Sequence, residues 1–404
     1  MRKFLFGTST AAYQIEGDNR WSDWWYWSEK GRLPKAGKAC NHWEKYEEDI
    51  KLMAELGYNA YRFSIEWGRI FPEEDKINEE ALARYREIIE LLLKSKIDPM
   101  VTLHHFTLPT WFALKGGFAR DENLKYWERY LNAVSDILNG VRLIATTNEP
   151  MELVIEGYLT GNWPPFLRDP KTAFQVEKNL INAHSIAYET LSGKHEVGIV
   201  KSMPSIKFPD GEVAEEVENL QTFYFLDAIF EGVLKTPLGD MRVLPSSMDF
   251  IGVNYYTLHI VSKDTEPLRG LYEYEFGGYG RTQMGWKIYP RGIYEAIVKA
   301  SKYGKPIYIT ENGIATENED ERIKFIQDHL NWVKKAMEEG YDVRGYFYWS
   351  FIDNYEWDKG FVPKFGLVSF NPETWERIPK KSAFAYGRLA KNFPYQGRET
   401  CPKT

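Results

Sequence analysis

Cysteine is scarce: two in 404 residues, Cys40 and Cys401, far apart and in no CxxC pattern. That excludes a disulfide framework and a cysteine metal site, and it fits a reducing compartment. Basic charge is not in excess either. The formal net charge is −7 with no basic block, which argues against nucleic acid and anionic membrane surfaces as partners. No apolar run is long enough to span a membrane, and MRKFLFGTST offers too few apolar residues before Gly7 for a signal peptide. A cytoplasmic protein without a transmembrane segment is expected. No GxGxxG follows the first strand-like segment, which weakens an open dinucleotide-binding sheet. Aromatic residues, by contrast, are plentiful: 16%, including 14 Trp and 26 Tyr. Some must be core, but aromatics also line clefts that take sugars and other amphipathic ligands.

Strand-like and helix-like segments alternate throughout. Apolar runs at Phe4–Ser9, Tyr58–Ile65, Met100–His104, Val141–Thr147, Val197–Val200, Phe250–Tyr255, Ile307–Thr310 and Val343–Trp349 read as strands. Helical spacing follows each, as at Tyr46, Ile50, Met53 and Leu56 ahead of Gly57, and Val213–Leu234 reads as one helix. Eight such pairs without a break in composition predict an α/β chain forming a single (β/α)8 TIM barrel, with residues 1–404 as one catalytic domain.

In such a barrel, polar residues at the C-terminal ends of strands face the active-site mouth. Those positions hold Gln14 and Glu16, Arg62, His105, Asn148-Glu149, Asn254 and Tyr256, Glu311, and Trp349. In KPIYITENGIA a buried-strand pattern stops on Glu311, and an unpaired buried carboxylate costs several kcal/mol. Arg62 and nearby amide and phenol donors would hold it ionised. Two glutamates across one pocket are what glycoside hydrolysis needs, one to attack the anomeric carbon and one to protonate the leaving oxygen. His104-His105 invites a metal reading, but neighbours on a strand face opposite ways and no ligand set completes a site. No metal and no cofactor are expected.

The chain resembles the family 1 glycoside hydrolases, the retaining β-glucosidases and β-galactosidases, and in particular the shorter archaeal members. The likeness rests on FLFGTSTAAYQIEG (Phe4–Gly17), AYRFSIEWGRIFP (Ala60–Pro72), LHHFTLP (Leu103–Pro109), TNEP (Thr147–Pro150), NYYT (Asn254–Thr257), YITENG (Tyr308–Gly313), YFYWSFIDNYEW (Tyr346–Trp357) and FGLV (Phe365–Val368), in the family's order. The resemblance implies Glu149 as acid/base and Glu311 as nucleophile. It implies that Arg62, Asn148 and Tyr256 support the nucleophile, and that Gln14, His105, Asn148, Trp349, Glu356 and Trp357 grip the sugar. Phe106 and Thr147 depart from the residues many members carry, Trp and Phe. The implied partners are small β-glycosides and short β-linked oligosaccharides, cleaved from the terminal residue.

The acid at Glu356 points to unphosphorylated sugars, with Lys359 and Lys364 expected to face solvent. WSDWWYW (Trp21–Trp27) is expected near the mouth as an apolar wall favouring hydrophobic aglycones. Glu/Lys-rich helices are compatible with a thermostable protein. A β-mannosidase and a non-catalytic carbohydrate-binding barrel are the alternatives; the Glu149/Glu311 pair argues against the second.

Overall fold

Helices form where apolar residues recur on one face, and a left-handed glycine stops the first of them. In α1 (His42–Leu56) Tyr46, Ile50 and Met53 are buried together, and Gly57 closes the helix at φ +84°. In α2 (Glu79–Lys94) the Asn78 side chain caps the first turn through the Ala81 N–H, and Leu82, Tyr85, Ile89 and Leu92 face inward. In α3 (Leu124–Ser135) the buried set is Trp127, Tyr130, Leu131 and Val134. Each of these helices lays its apolar stripe on a strand sheet that is itself buried on both faces.

The computed structural model describes residues 3–393, and Cys401 lies outside the described residues. Eight parallel strands form a closed ring: β1 (Leu5–Ser9), β2 (Ala60–Ser64), β3 (Asp98–His104), β4 (Leu143–Asn148), β5 (Glu196–Ser202), β6 (Phe250–Asn254), β7 (Ile307–Asn312) and β8 (Val343–Trp349). They follow one another in sequence order around the ring, and β1 pairs with both β2 and β8. The helices continue with α4 (Pro170–Leu191), a fifth segment described below, α6 (Arg291–Ala300), α7 (Glu319–Glu338) and α8 (Lys381–Asn392). The expected (β/α)8 TIM barrel is the observed fold.

Two boundaries differ from expectation. Val213–Leu234 is not one helix. It is a turn of helix at Glu215–Glu218, a π-helical turn at Asn219–Phe223 and a helix at Tyr224–Glu231, together α5. Gly232, at φ +73°, ends it, and Val233–Leu234 pairs antiparallel with Met241–Arg242. Strand β7 also runs past Thr310, so that Glu311 and Asn312 are its last two residues. The glycine after it is required by close approach: a Cβ on Gly313 would lie 1.8 Å from the Trp349 carbonyl oxygen.

Leu5, Ala60, Met100, Leu143, Ala145, Val200, Phe250, Tyr308 and Phe347 fill the floor of the barrel. Because strand residues alternate between lumen and helix layer, the next inward positions are the ones that carry chemistry. Irregular register interrupts that alternation in β4 beyond Ala145 and in β7 beyond Ile309, which brings Asn148 and Glu311 to the lumen. Among the described residues no helix is long and apolar enough to cross a membrane.

Candidate active site

A cavity of about 250 Å³ opens at the C-terminal ends of the strands. Glu149 and Glu311 both line it, with His105, Tyr256, Trp349, Glu356 and Trp357. Glu311, at the end of β7, is nearly sealed. Its Oε1 accepts from Arg62 Nη1 at 2.6 Å, and its Oε2 accepts from the Tyr256 hydroxyl at 2.7 Å. Arg62 itself is fully buried on β2 and spends its other nitrogens on Asn148 Oδ1 at 2.7 Å and Thr102 Oγ1 at 3.0 Å. One guanidinium thus fixes the ends of three other strands.

Glu149 has different surroundings. It stands after β4 in the left-handed region at φ 41°, held there by its N–H on the Val200 carbonyl at 2.8 Å. Its carboxyl accepts from one neutral donor, Asn254 Nδ2, at 2.8 Å. Burial, with the Glu311 charge second, pushes Glu149 well above the usual carboxyl range. Burial raises Glu311 as well, but Arg62 and Tyr256 offset part of that rise. The proton of this pair therefore belongs on Glu149. Two carboxyls so biased across one cavity can supply a proton donor and an ionised nucleophile.

His105 and Gln14 each keep hydrogen-bonding capacity in reserve. His105 stacks between Trp349 and Trp357, and its Nε2 sits 3.2 Å from Asn148 Nδ2. Burial, Arg62 and His104 keep the ring neutral, so the proton rests on Nδ1, which has no partner among the described residues. The Gln14 amide donates to the Tyr355 carbonyl at 2.8 Å and, at longer range, to Asn354 and Glu356, while its Oε1 is buried without a partner. Glu356 is pushed up to about 8 by burial, with Glu311 and Asp358 adding to it. His104 faces the helix layer instead, against Phe118 and Trp127.

Gln14, Arg62 and Asn148 stand behind the cavity wall rather than on it. Glu16 is not a cavity residue: it is taken up by Arg69 at 3.1 Å and Tyr85 at 2.6 Å. No residue of Trp21–Trp27 lines the cavity, because Trp24 turns inward to back Trp357. The apolar wall is built from Phe106, Trp163, Tyr274, Met284, Trp286 and Phe365. Lys359 is exposed as expected but sits on the cavity rim, paired with Asp358, and Lys364 is half-buried on the Phe361 carbonyl. Sequence reasoning placed Asn254 at a strand end without a task; its amide is the donor to Glu149. It missed Glu152, whose one signal was its spacing of three residues from Glu149 on a helix. Among the described residues no three His, Cys, Asp or Glu side chains come together to hold a metal.

The family model for glycosyl hydrolase family 1 matches residues 1–393. A β-glycosidase structure from Pyrococcus horikoshii superposes with a TM-score of 0.92 at 56% identity, over 96% of this chain and 94% of that one. Among characterised sequences, β-glucosidase A of Thermotoga maritima is 33% identical over 96% of this chain and 97% of its own length. A 6-phospho-β-galactosidase of Leptotrichia buccalis is 30% identical over 96% and 97%.

Proposed function

Because the chain belongs to glycosyl hydrolase family 1 and is a glycoside hydrolase, we propose that it removes one terminal β-D-glucosyl, galactosyl or related residue with retention of configuration. The observation that carries this reading is the unequal environment of two carboxyls on one cavity. Glu311 holds a cation and a phenol; Glu149 holds a single amide. Glu311 attacks the anomeric carbon and forms a covalent glycosyl-enzyme while Glu149 gives its proton to the departing oxygen. Glu149 then takes a proton from water as that water displaces Glu311. Asn148 and Arg62 position Glu311, and Tyr256 steadies its charge. His105 Nδ1–H and Glu356 meet the sugar hydroxyls, with Trp349 and Trp357 beneath the ring and Gln14 steadying Glu356 from behind.

The test is rescue. Glu311→Gly should lose nearly all hydrolysis, and added azide should restore turnover as an α-configured glycosyl azide. Glu149→Ala should be slowed ~10²–10⁴-fold on an alkyl glucoside but far less on a dinitrophenyl glucoside, with azide giving the β-product. Equal losses in both variants without rescue would sink the assignment.

Substrate choice follows from the same walls. Phe106, Trp163 and Trp286 favour alkyl and aryl leaving groups over a second glucose. A sugar 6-phosphate would meet Glu311, Glu356 and Asp358 together. Glu356 carries a proton near neutrality, so the repulsion is less than three full charges. The Lys359 ammonium is already occupied by Asp358. A nitrophenyl panel should therefore rank glucoside and galactoside above mannoside, and all three above 6-phosphoglucoside. Fastest turnover of the phosphorylated substrate would reverse the specificity reading, and no turnover of any would favour a binding protein.

A further inference from the structure

On the Glu149 side, beyond the cavity wall, runs a chain of charged and polar groups that the reaction above does not use. Glu152 lies one turn on from Glu149 in the short helix Pro150–Val154, its N–H on the Glu149 carbonyl at 3.0 Å and its side chain on the cavity. Its Oε1 accepts from Gln221 Nε2 at 2.9 Å. Gln221 belongs to the π turn of α5, and its backbone carbonyl accepts from Lys201 Nζ at 3.1 Å. Lys201 follows Val200 on β5 and points out of the barrel, 1% exposed, with the Phe225 ring 4.6 Å from its Nζ. A buried ammonium costs several kcal/mol unless charges nearby answer it. Half-buried Glu152 and fully buried Glu177 of α4 do so.

We propose that Glu152, clamped by Gln221 over the buried ammonium of Lys201, is a positioning residue for Glu149 whose charge holds the proton there and sets the alkaline end of the working range. This rests on Glu149 being the acid. The charged and polar groups that act on Glu149 come from every side: Glu311 on β7, Arg62 on β2, Asn254 and Tyr256 at the end of β6, neutral His105 beside Asn148, Glu152 on its own helix and, from outside the barrel, Lys201 on β5. Glu311 and Glu152 strengthen the hold on the proton; Arg62 and Lys201 weaken it. Glu311 and Arg62 are consumed by the nucleophile's own ion pair, which leaves Glu152 and Lys201 as the adjustable pair. Gln221 fixes the two relative to each other. Burial, and then Glu156 one turn further on, raises Glu152 as well. Its charge is thus fullest on the alkaline side, where Glu149 loses its proton.

The experiment is the pH dependence of kcat/KM on an alkyl β-glucoside. Glu152→Gln keeps the shape and the Gln221 contact but removes the charge, and should move the alkaline limb to lower pH by about half a unit. Glu152→Asp, which keeps the charge, should leave the limb near its wild-type position even if rate is lost. Lys201→Met should move the limb the opposite way; if that variant does not fold, the Glu152 pair decides. A limb that stays fixed in Glu152→Gln, or moves equally in Glu152→Asp, overturns the proposal. Glu149→Gln, run alongside on a dinitrophenyl glucoside, whose departure needs little protonation, separates the two failures. If it abolishes the limb while Glu152→Gln leaves it unmoved, the acid assignment stands and only this proposal falls. If the limb survives in Glu149→Gln, both fall.

Discussion

Hydrogen bonds to one carboxylate decide how acidic a solution the site tolerates. Tyr256 gives Glu311 a bond of 2.7 Å that pulls its proton affinity down against burial. A charge-assisted bond of this kind contributes about 1.5–3 kcal/mol. Tyr256→Phe should therefore raise the Glu311 pKa and move the acid limb of activity to higher pH. It should also slow turnover by ~10-fold or more at the optimum. A pH–rate profile with an unmoved acid limb would show that the phenol does not act on the nucleophile. The strand-end reading found both glutamates because a carboxylate closing an apolar run is visible in sequence. It assigned no task to Asn254, since an amide beside Tyr255-Tyr256 announces nothing until Glu149 is seen to need a donor.

Between elements, Arg322 of α7 ties the loop after β7 to the loop after β8, and the second of these brings Trp357 and Phe365 to the cavity. Fully buried, it donates to the Ile314 carbonyl at 2.8 Å and the Thr316 carbonyl after β7, and to the Lys364 and Phe365 carbonyls after β8 at 3.0 and 2.9 Å. Glu319 and the Tyr348 hydroxyl complete its partners. Arg322→Met should unpin both loops together, lowering stability by ~3–5 kcal/mol and raising KM more than it lowers kcat. Differential scanning calorimetry with a saturation curve checks this, and an unchanged melting temperature would contradict it. Strands and helices were legible because their periods are local. The irregular register of β4 and β7 was not, because pairing between strands sets it, and strict alternation would put Glu311 on the face opposite Thr310. The tryptophans of Trp21–Trp27 misled for a related reason: composition does not tell which way Trp24 turns. The end of α5 was misjudged because Val233-Leu234 suits a helix as well as a strand, and Gly232 settles it through its backbone.

For the molecule as a whole, buried groups that stay neutral govern stability against pH. Asp23, Glu66 and Glu356 keep their protons up to about 7, 8 and 8, chiefly through burial, whereas the unfolded chain releases them near the ordinary carboxyl values. The folded state holds more protons across that window, so these groups weaken it as pH rises. Burial keeps His104, His184 and His329 neutral down to about 4, and unfolded histidine takes its proton near 6.5, so these weaken the fold as pH falls through that window. The two trends oppose each other between roughly pH 4.5 and 6.5, and above that range only the acids among these six groups still titrate. Melting temperature should be higher at about pH 5.5 than at about pH 8.5; the reverse order would mean that other groups dominate. The ring of strands also imposes an order on synthesis. β1, the earliest of the described strands, is paired with β8 from Leu5–Gly345 through Ser9–Trp349. On the ribosome, therefore, β1 emerges before the other seven barrel strands and waits longest for its final neighbour, β8. Until β8 follows, the nascent sheet has two open edges whose N–H and C=O groups invite another chain. The barrel is most exposed to aggregation when seven of its strands have been made and β8 is still in the exit tunnel.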